Sequence, residues 1–336
     1  MLGQLAPGQC LNEAASLKIS VYITSYNQRR YLPEAIESVL SQTLRSSEII
    51  IVDDCSTDGS QEVIAGYASR YPDLILPIYH AQNRGVSPSR VDALRAATGD
   101  YVTYVDGDDR FLPAKLESET RLLRERGEAQ IAFSNFYYTG VQGEREAVWA
   151  DDDVPPEGNV FQQAFARAFP RGDLFRCELA AVQCLRNVGW YDESLQTHED
   201  WDLKIRLTKR YRVAYCPRPL LEYRRNPAGL SGSSASSRLE SIRKVYEKNR
   251  HLLNDLPRAK RAMIEEAVAL KLGQMARKAS EEERRSGNRV RALRFWLDSL
   301  IYAPADLDFG LTLRLFLPQG AYMRLSRVFG HMIREA

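Results

Sequence analysis

Through the first hundred positions, short apolar blocks alternate with polar loops and stretches of helical period. Ile19, Val21 and Ile23 alternate across Lys18 to Ser25 with the two-residue period of a strand. Glu48 to Val52 carries an unbroken apolar run, and Leu74 to Tyr79 and Tyr101 to Val105 read as third and fourth strands. Between the first two, Leu32, Ile36, Val39 and Leu40 recur at helical spacing behind Pro33, a residue suited to a first turn. A second helix reaches about Arg70. In a third, running to Ala97, Ser87 is the expected N-cap and Pro88 the first-turn proline. Strands starting near 18, 48, 75 and 101, each followed by a helix, predict βαβ units and a parallel sheet.

Each strand ends in a polar loop: Thr24 to Asn27, Asp53 to Asp58, Asn83 to Gly85 and Asp106 to Asp109. Ligands of open α/β sheets sit outside the carboxyl ends of the strands, so these loops border the expected site. Asp106, Gly107 and Asp108 stand out, because hard carboxylate oxygens suit Mg2+ or Mn2+ carrying a phosphate. A bare Asp-rich turn is the plainer reading. A calcium hand fails, since Arg110 and Phe111 stand where an oxygen ligand and a turn glycine are needed. Neither GxGxxG nor GxxxxGK[ST] occurs, which disfavours dinucleotide and P-loop chemistry.

Farther along, Leu116, Leu122 and Leu123 mark a helix, and Gln130 to Tyr138 and Val213 to Pro217 read as strands. Gly140 to Gly158 is polar and is expected to be a mobile or acceptor-facing loop, with Asp151, Asp152 and Asp153 as a solvated charge run. Gly229 to Ser237, rich in Ser and Gly, reads as a flap or linker. Beyond it, helical patterns cover Ser241 to Leu253, Ala259 to Ala279 and Ser286 to Tyr302. Tyr322 to Ile333 sets Tyr322, Leu325, Phe329, Met332 and Ile333 on one face, flanked by Arg324, Arg327 and Arg334. That segment suits either packing on its own domain or a partner, or an anionic membrane surface. The expected domains are a flexible leader at 1–16, a catalytic domain at 17–231 and a helical extension at 238–336.

Bulk composition narrows the class. With 46 Lys and Arg against 44 Asp and Glu the net charge is +2, which gives no global pull toward nucleic acid. The five cysteines are scattered without a CxxC pair, which argues against zinc and a disulfide framework and for a reducing compartment. No basic-then-apolar leader and no long uncharged apolar stretch is present, so the expected location is cytoplasmic.

Five short motifs occur in order: Ile23-Thr24-Ser25-Tyr26-Asn27, Val52-Asp53-Asp54-Cys55-Ser56-Thr57-Asp58-Gly59, Asn83-Arg84-Gly85-Val86-Ser87, Val105-Asp106-Gly107-Asp108-Asp109 and Glu199-Asp200-Trp201-Asp202-Leu203. From about Leu17 to Ser231 the chain thereby resembles the family 2 glycosyltransferases. The resemblance implies an α/β GT-A fold, a Rossmann-like, mostly parallel sheet flanked by helices, here with a helical C-terminal extension. Residues 17–110 would be the nucleotide-sugar half and 111–231 the acceptor-side half. Thr24 and Tyr26 would contact the base, Asp53 would accept from its imide, and Arg90 would lie near base and diphosphate, with Arg84 competing for that role. Asp106 would reach ribose and metal and Asp108 the metal, so Mn2+ or Mg2+ is the implied cofactor. Asn187 to Glu193 matches a signature that precedes the catalytic acid; Asp200 would be the general base, with Glu199, His198 and Trp201 toward the acceptor. Arg224 and Arg225 would grip the diphosphate, and Asn226 stands where many relatives carry a histidine.

The implied reaction is transfer, with inversion, of a sugar from a nucleotide donor, most readily UDP-linked, to a hydroxyl of a glycan or lipid-linked acceptor. A peripheral contact of the C-terminal helices with the inner membrane face goes with it. Structural readings stand beside these roles. Tyr26 suits a cap on the sheet edge, Asp53 and Asp58 suit caps on the next helix, and Glu199 and Asp200 suit a helix N-terminus with Leu203, Ile205 and Leu207 packed behind. Asp202 is assigned to structure. Two rival functions differ in signature. A nucleotidyltransferase acting on a sugar phosphate predicts a Gly-rich loop after the first strand, and Thr24 to Arg30 has no glycine. A non-catalytic nucleotide-sugar or glycan binding module would be expected to lose Asp108 or Asp200, and both are present.

Overall fold

The computed structural model describes residues 17–226 and 233–303. The chain divides into two compact units, Met1–Pro227 and Ala228–Ala336.

In the first unit, β1 (Ile19–Ser25), β2 (Glu48–Asp53), β3 (Ile75–Tyr79) and β4 (Tyr101–Asp106) run parallel in the order β3-β2-β1-β4. Helices α1 (Leu32–Leu40), α2 (Ser60–Arg70) and α3 (Val86–Ala96) make the crossovers. Ile49, Ile50, Ile51 and Val52 are all fully buried. Covered on both faces, such a strand has no solvent side to alternate with, and each side chain contributes about 2 kcal/mol of burial.

The same sheet continues as β4-β8-β6-β9-β5, with β7 added to β6. The elements are β5 (Arg110–Phe111), α4 (Lys115–Arg126), β6 (Ile131–Thr139), β7 (Arg145–Val148), α5 (Phe161–Ala166), β8 (Leu179–Ala181), α6 (Val182–Val188), α7 (Glu199–Arg210) and β9 (Val213–Arg224). β8 is antiparallel to β4 and to β6, whereas β9 is parallel to β6. The α/β class is the expected one; the sheet is wholly parallel over its first four strands and mixed beyond them. An aromatic cluster fills this half, with Phe133 stacked on Phe175 at 4.6 Å and Phe136 on Trp149 at 5.0 Å.

Three local expectations are corrected. The polar stretch from Gly140 to Gly158 contains β7, whose residues pair Tyr137 with Val148 and Tyr138 with Ala147. Its charged residues hide it from pattern reading, and buried Trp149 anchors it by donating Nε1 to the Pro170 carbonyl at 3.0 Å. Ser87 is not the N-cap of α3: Gly85 holds that place, with φ 92°, and the Ser87 hydroxyl donates to the Leu195 carbonyl at 2.6 Å. β9 continues past Pro217 to Arg224, and its register on β6 shifts around Asn135, where Pro217 and Pro219 interrupt the ladder.

The second unit contains α8 (Ala235–Asn249), α9 (Arg258–Arg285) and α10 (Arg289–Tyr302). Ser234 and Asn288 cap α8 and α10, accepting from Ser237 N at 3.2 Å and Arg291 N at 3.4 Å. Ala235 to Ser237, expected in a flap, form the first turn of α8. Leu239, Ile242 and Val245 of α8 and Ile264, Val268 and Leu272 of α9 are buried. At Gly273 a Cβ would come within 2.6 Å of the Ala303 Cβ, so glycine is what lets the end of α10 lie against α9. The expected leader at 1–16, Gly229 to Gly232 of the expected flap and the amphipathic segment Tyr322 to Ile333 lie outside the described residues.

Candidate active site

Sheet register sets the first row of side chains. Thr24 pairs with Asp106 and Ser25 with Asp53, so the ends of β1, β2 and β4 stand side by side at the carboxyl edge. The Thr24 hydroxyl donates to Asp106 at 3.1 Å, and Gly107 N donates to the Thr24 carbonyl at 3.0 Å. A Cβ on Gly107 would run into that carbonyl and the Gln28 side chain, so the glycine serves the packing of two loops. Tyr26, 49% exposed, lies on the loop beyond β1.

The second loop is tied down by its own acids. Asp53 accepts from Ser56 N at 2.9 Å, Ser56 Oγ at 2.5 Å and Gln61 Nε2 at 2.8 Å. Its residue surface is fully buried, and these three bonds fix the turn that follows β2, where the base contact was expected. Asp54 accepts from His80 Nδ1 at 2.7 Å, Arg84 N at 2.8 Å and Gly85 N at 2.7 Å. That carboxylate therefore shapes the Asn83–Gly85 loop. The Arg84 side chain turns to Asp92 at 2.6 Å and Glu193 at 3.3 Å.

Arg90 occupies the junction. Its Nη2 donates to both oxygens of Asp106, at 2.9 and 3.1 Å, and Nη1 to Glu199 at 3.0 Å. The guanidinium lies over the rings of Tyr104 and Tyr191, and Tyr191 shares a 3.1 Å hydrogen bond with Tyr22. Only 5% of Arg90 is exposed, and its guanidinium is held by carboxylates at the place where the contact with base and diphosphate was expected.

Three aspartates, Asp106, Asp108 and Asp109, crowd the loop after β4. Burial, followed by the charge of Asp106, pushes the Asp108 carboxyl up to about 6, against the pull of Arg224 and a hydrogen bond from Asn226. Asn226, at the family's histidine position, thus supports a carboxylate. Asp109 is buried deeper and accepts from Arg224 N at 2.7 Å; desolvation, Asp108 and Asp106 raise it well above the usual carboxylate range. This surplus of negative charge fits a divalent cation. Among the described residues no group of three or more His, Cys, Asp or Glu side chains is disposed to enclose one. The fit is therefore to a cation such as Mg2+, which keeps few protein carboxylates and takes its other oxygens from phosphate and water.

Arg224 and Arg225, expected to grip the diphosphate, stand at the end of β9. Arg224 is buried, donating to Glu34 at 2.9 Å and to the Val141 carbonyl at 3.2 Å, over the ring of Tyr31. Arg225 lies over Tyr138, with Glu146 at 3.6 Å. Arg224 touches the site through its backbone bond to Asp109 and its charge on Asp108, whereas the contacts of Arg225 are with the β6–β7 hairpin.

On the other side, α7 begins at Glu199, behind His198 in left-handed conformation with φ 62°. Burial pushes Glu199 up to about 7, with Arg90 opposing and Asp200 adding to the rise. For Asp200 burial acts upward too, but Lys204, Arg176, Arg167 and Arg90 hold it well below the usual carboxylate range. Lys204 Nζ is 3.7 Å from it. His198 Nδ1 faces Thr197 Oγ1 at 3.2 Å. Trp201, expected toward the acceptor, is 1% exposed, donates Nε1 to the Ala164 carbonyl at 2.9 Å and so anchors α7 on α5. Asp202 is fully buried and pairs with Arg206 at 2.6 Å, the structural role expected of it.

Sequence reasoning missed Arg176. It stacks at 4.0 Å on Tyr223 and acts electrostatically on both Asp109 and Asp200, making no hydrogen bond or ion pair with a described residue. No motif surrounds it. The only sequence signal was an arginine inside the otherwise apolar run from Leu174 to Cys177.

A family model described as Glycosyl transferase family 2 matches residues 20–181. A Bacillus subtilis protein described as a glycosyltransferase, EpsE, is 38% identical over 134 residues, 38% of this chain and 47% of its own length. The chain spans less than half the length of the first two curated relatives it matches. Among solved structures, S. aureus TarS 1-349 in complex with UDP-GlcNAc aligns with a TM-score of 0.63 at 19% identity, over 95% of this chain and 92% of that one. A mannosyltransferase from Pyrobaculum calidifontis in complex with GDP-Man and Mn2+ aligns with a TM-score of 0.55 at 16% identity, over 98% and 87%. These likenesses establish a GT-A fold.

Proposed function

We propose that this chain is a family 2 glycosyltransferase, a reading supported by the family-model match over residues 20–181, and that it moves a sugar from a nucleotide-sugar donor, most readily UDP-linked, to a hydroxyl acceptor with inversion. The observation that carries this reading is the Arg90 bridge, which sets the Asp106 corner beside the Glu199–Asp200 corner. A donor lying along the carboxyl edge of β1 and β4 would have its anomeric carbon between the two.

Thr24 and Tyr26 are assigned to the nucleoside and Asp106 and Asp108 to a cation carried by the diphosphate. When bound, Mn2+ or Mg2+ neutralises charge on the departing nucleoside diphosphate. Asp200 takes the proton of the acceptor hydroxyl as its oxygen bonds to the anomeric carbon and the bond to the diphosphate breaks. The cations around Asp200 keep it ionised and also weaken it as a base. Arg176, which makes no ion pair with a described residue, is the cation best placed to turn toward substrate charge and relieve that constraint. Inversion follows if the base and the leaving group lie on opposite sides of the sugar. The acceptor is assigned to the glycan or lipid-linked class. Among the described residues no helix is long and apolar enough to cross a membrane.

The test is a screen of purified protein against UDP-, GDP- and dTDP-sugars, read by release of the nucleoside diphosphate. Release confined to one or a few UDP-sugars supports the proposal. Cleavage to a nucleoside monophosphate and a sugar phosphate would point to nucleotidyl transfer instead.

A further inference from the structure

The helix α10 has one buried side and, opposite it, an exposed apolar side. Its inner side carries Ala292 and Ser299, both buried. Val290, Leu293, Leu297 and Ile301, spaced three to four residues apart, line the other side and are 81%, 37%, 48% and 76% exposed. A surface helix normally keeps one apolar stripe for its own core; a second, solvent-facing stripe marks a contact that is made elsewhere.

Charge indicates what covers it. Residues 233–303 carry 16 Lys and Arg against nine Asp and Glu, net +7, although the whole chain is only +2. Arg289, Arg291 and Arg294 lie in the first six residues of α10, where the helix dipole disfavours cations and the helix's own first turn holds no acidic residue. Arg291 reaches Glu283 at 3.2 Å, but Arg289 and Arg294 are exposed and make no ion pair with a described residue. In the helical wheel Arg294 borders the stripe directly. Cations held at an intrinsic cost beside an exposed apolar ridge suit a ligand that is both anionic and apolar.

We propose that the outer face of α10 docks on an anionic phospholipid surface, the four aliphatic side chains entering the headgroup boundary and Arg289 and Arg294 meeting lipid phosphates. A convex ridge with flanking cations fits a bilayer, which accommodates it without a matching groove. This inference is independent of the catalytic assignments.

The test is sedimentation of the full chain with vesicles of phosphatidylcholine alone and of phosphatidylcholine mixed with phosphatidylglycerol. Binding is expected to the mixed vesicles only. The double variant Val290→Asp, Ile301→Asp should lower the bound fraction at least tenfold. Arg289→Gln with Arg294→Gln should weaken binding roughly thirtyfold. Both pairs change exposed positions, and helical circular dichroism with unchanged melting verifies the fold. The proposal is overturned if the mixed vesicles do not bind the parent, or if the aspartate variant binds them as well as the parent. It is equally overturned if the parent elutes as a dimer that this variant dissociates, because a second copy would then cover the face.

Discussion

Arg90 donates to Glu199 at 3.0 Å although the two stand 109 residues apart in sequence. With its other nitrogen on Asp106, this one side chain joins the last residue of β4 to the first residue of α7. The two acidic corners of the site share a buried cation.

Replacing Arg90 with Met would leave Asp106 and Glu199 facing each other without compensation. Removing one partner of a buried ionic group costs on the order of 3 kcal/mol. Urea denaturation should show a loss of about that size. Arg90→Lys should recover part of it and not all, because an ammonium cannot span both carboxylates with a planar fork.

Glu199 gives a pH signature. Its carboxyl sits at about 7 in the folded chain, above its ordinary range, because burial outweighs Arg90. The folded state therefore binds this proton more tightly than the unfolded state does. The associated stability is complete below the ordinary carboxylate range and is lost as pH rises through about 7. Thermal melting of the parent should accordingly decline between about pH 5 and pH 8, and Glu199→Gln should flatten that slope. An identical slope in the variant would assign the effect to another group.

Asp108 is the carboxylate most in need of a cation, as among the described residues neither an arginine nor a lysine bonds to it directly. Calorimetry with UDP should show tighter binding with Mn2+ than without. In Asp108→Ala the two conditions should give the same affinity. Retained Mn2+ dependence would move the metal role to another residue.

The first half of the fold was legible because a parallel strand buried on both faces must be written as an apolar run, and its crossover helices keep their own period. Ile49 to Val52 and the stretch from Leu32 to Leu40 are instances. Past Asp109 the rule weakens. β7 is a charged hairpin strand, and β9 tolerates two prolines because its register on β6 slips there. Alternation alone shows neither.

The site divides in the same manner. The motifs located the loops, and Asp106, Asp108, Glu199 and Asp200 are carried by them. A motif does not say which protein partners hold a side chain, so the bonds of Asp53 to Ser56 and Gln61 and of Arg90 to Asp106 and Glu199 were not legible from it. Trp201 sits beside Asp200 in sequence, but successive residues on a helix point about 100° apart, and it packs inward. Arg176 has its meaning only from Tyr223, Asp109 and Asp200, which come together only in the folded chain.

The central claim is that Asp200 acts on the acceptor and not on the donor. The measurement that tests it most directly pairs UDP calorimetry with sugar-transfer turnover for Asp200→Asn, using the UDP-sugar that the screen identifies. The account predicts turnover reduced by at least a thousandfold, within the range of a lost general base together with its charge, and a UDP affinity within about twofold of the parent. Turnover close to the parent's, or a loss of UDP affinity equal to the loss of turnover, would contradict it.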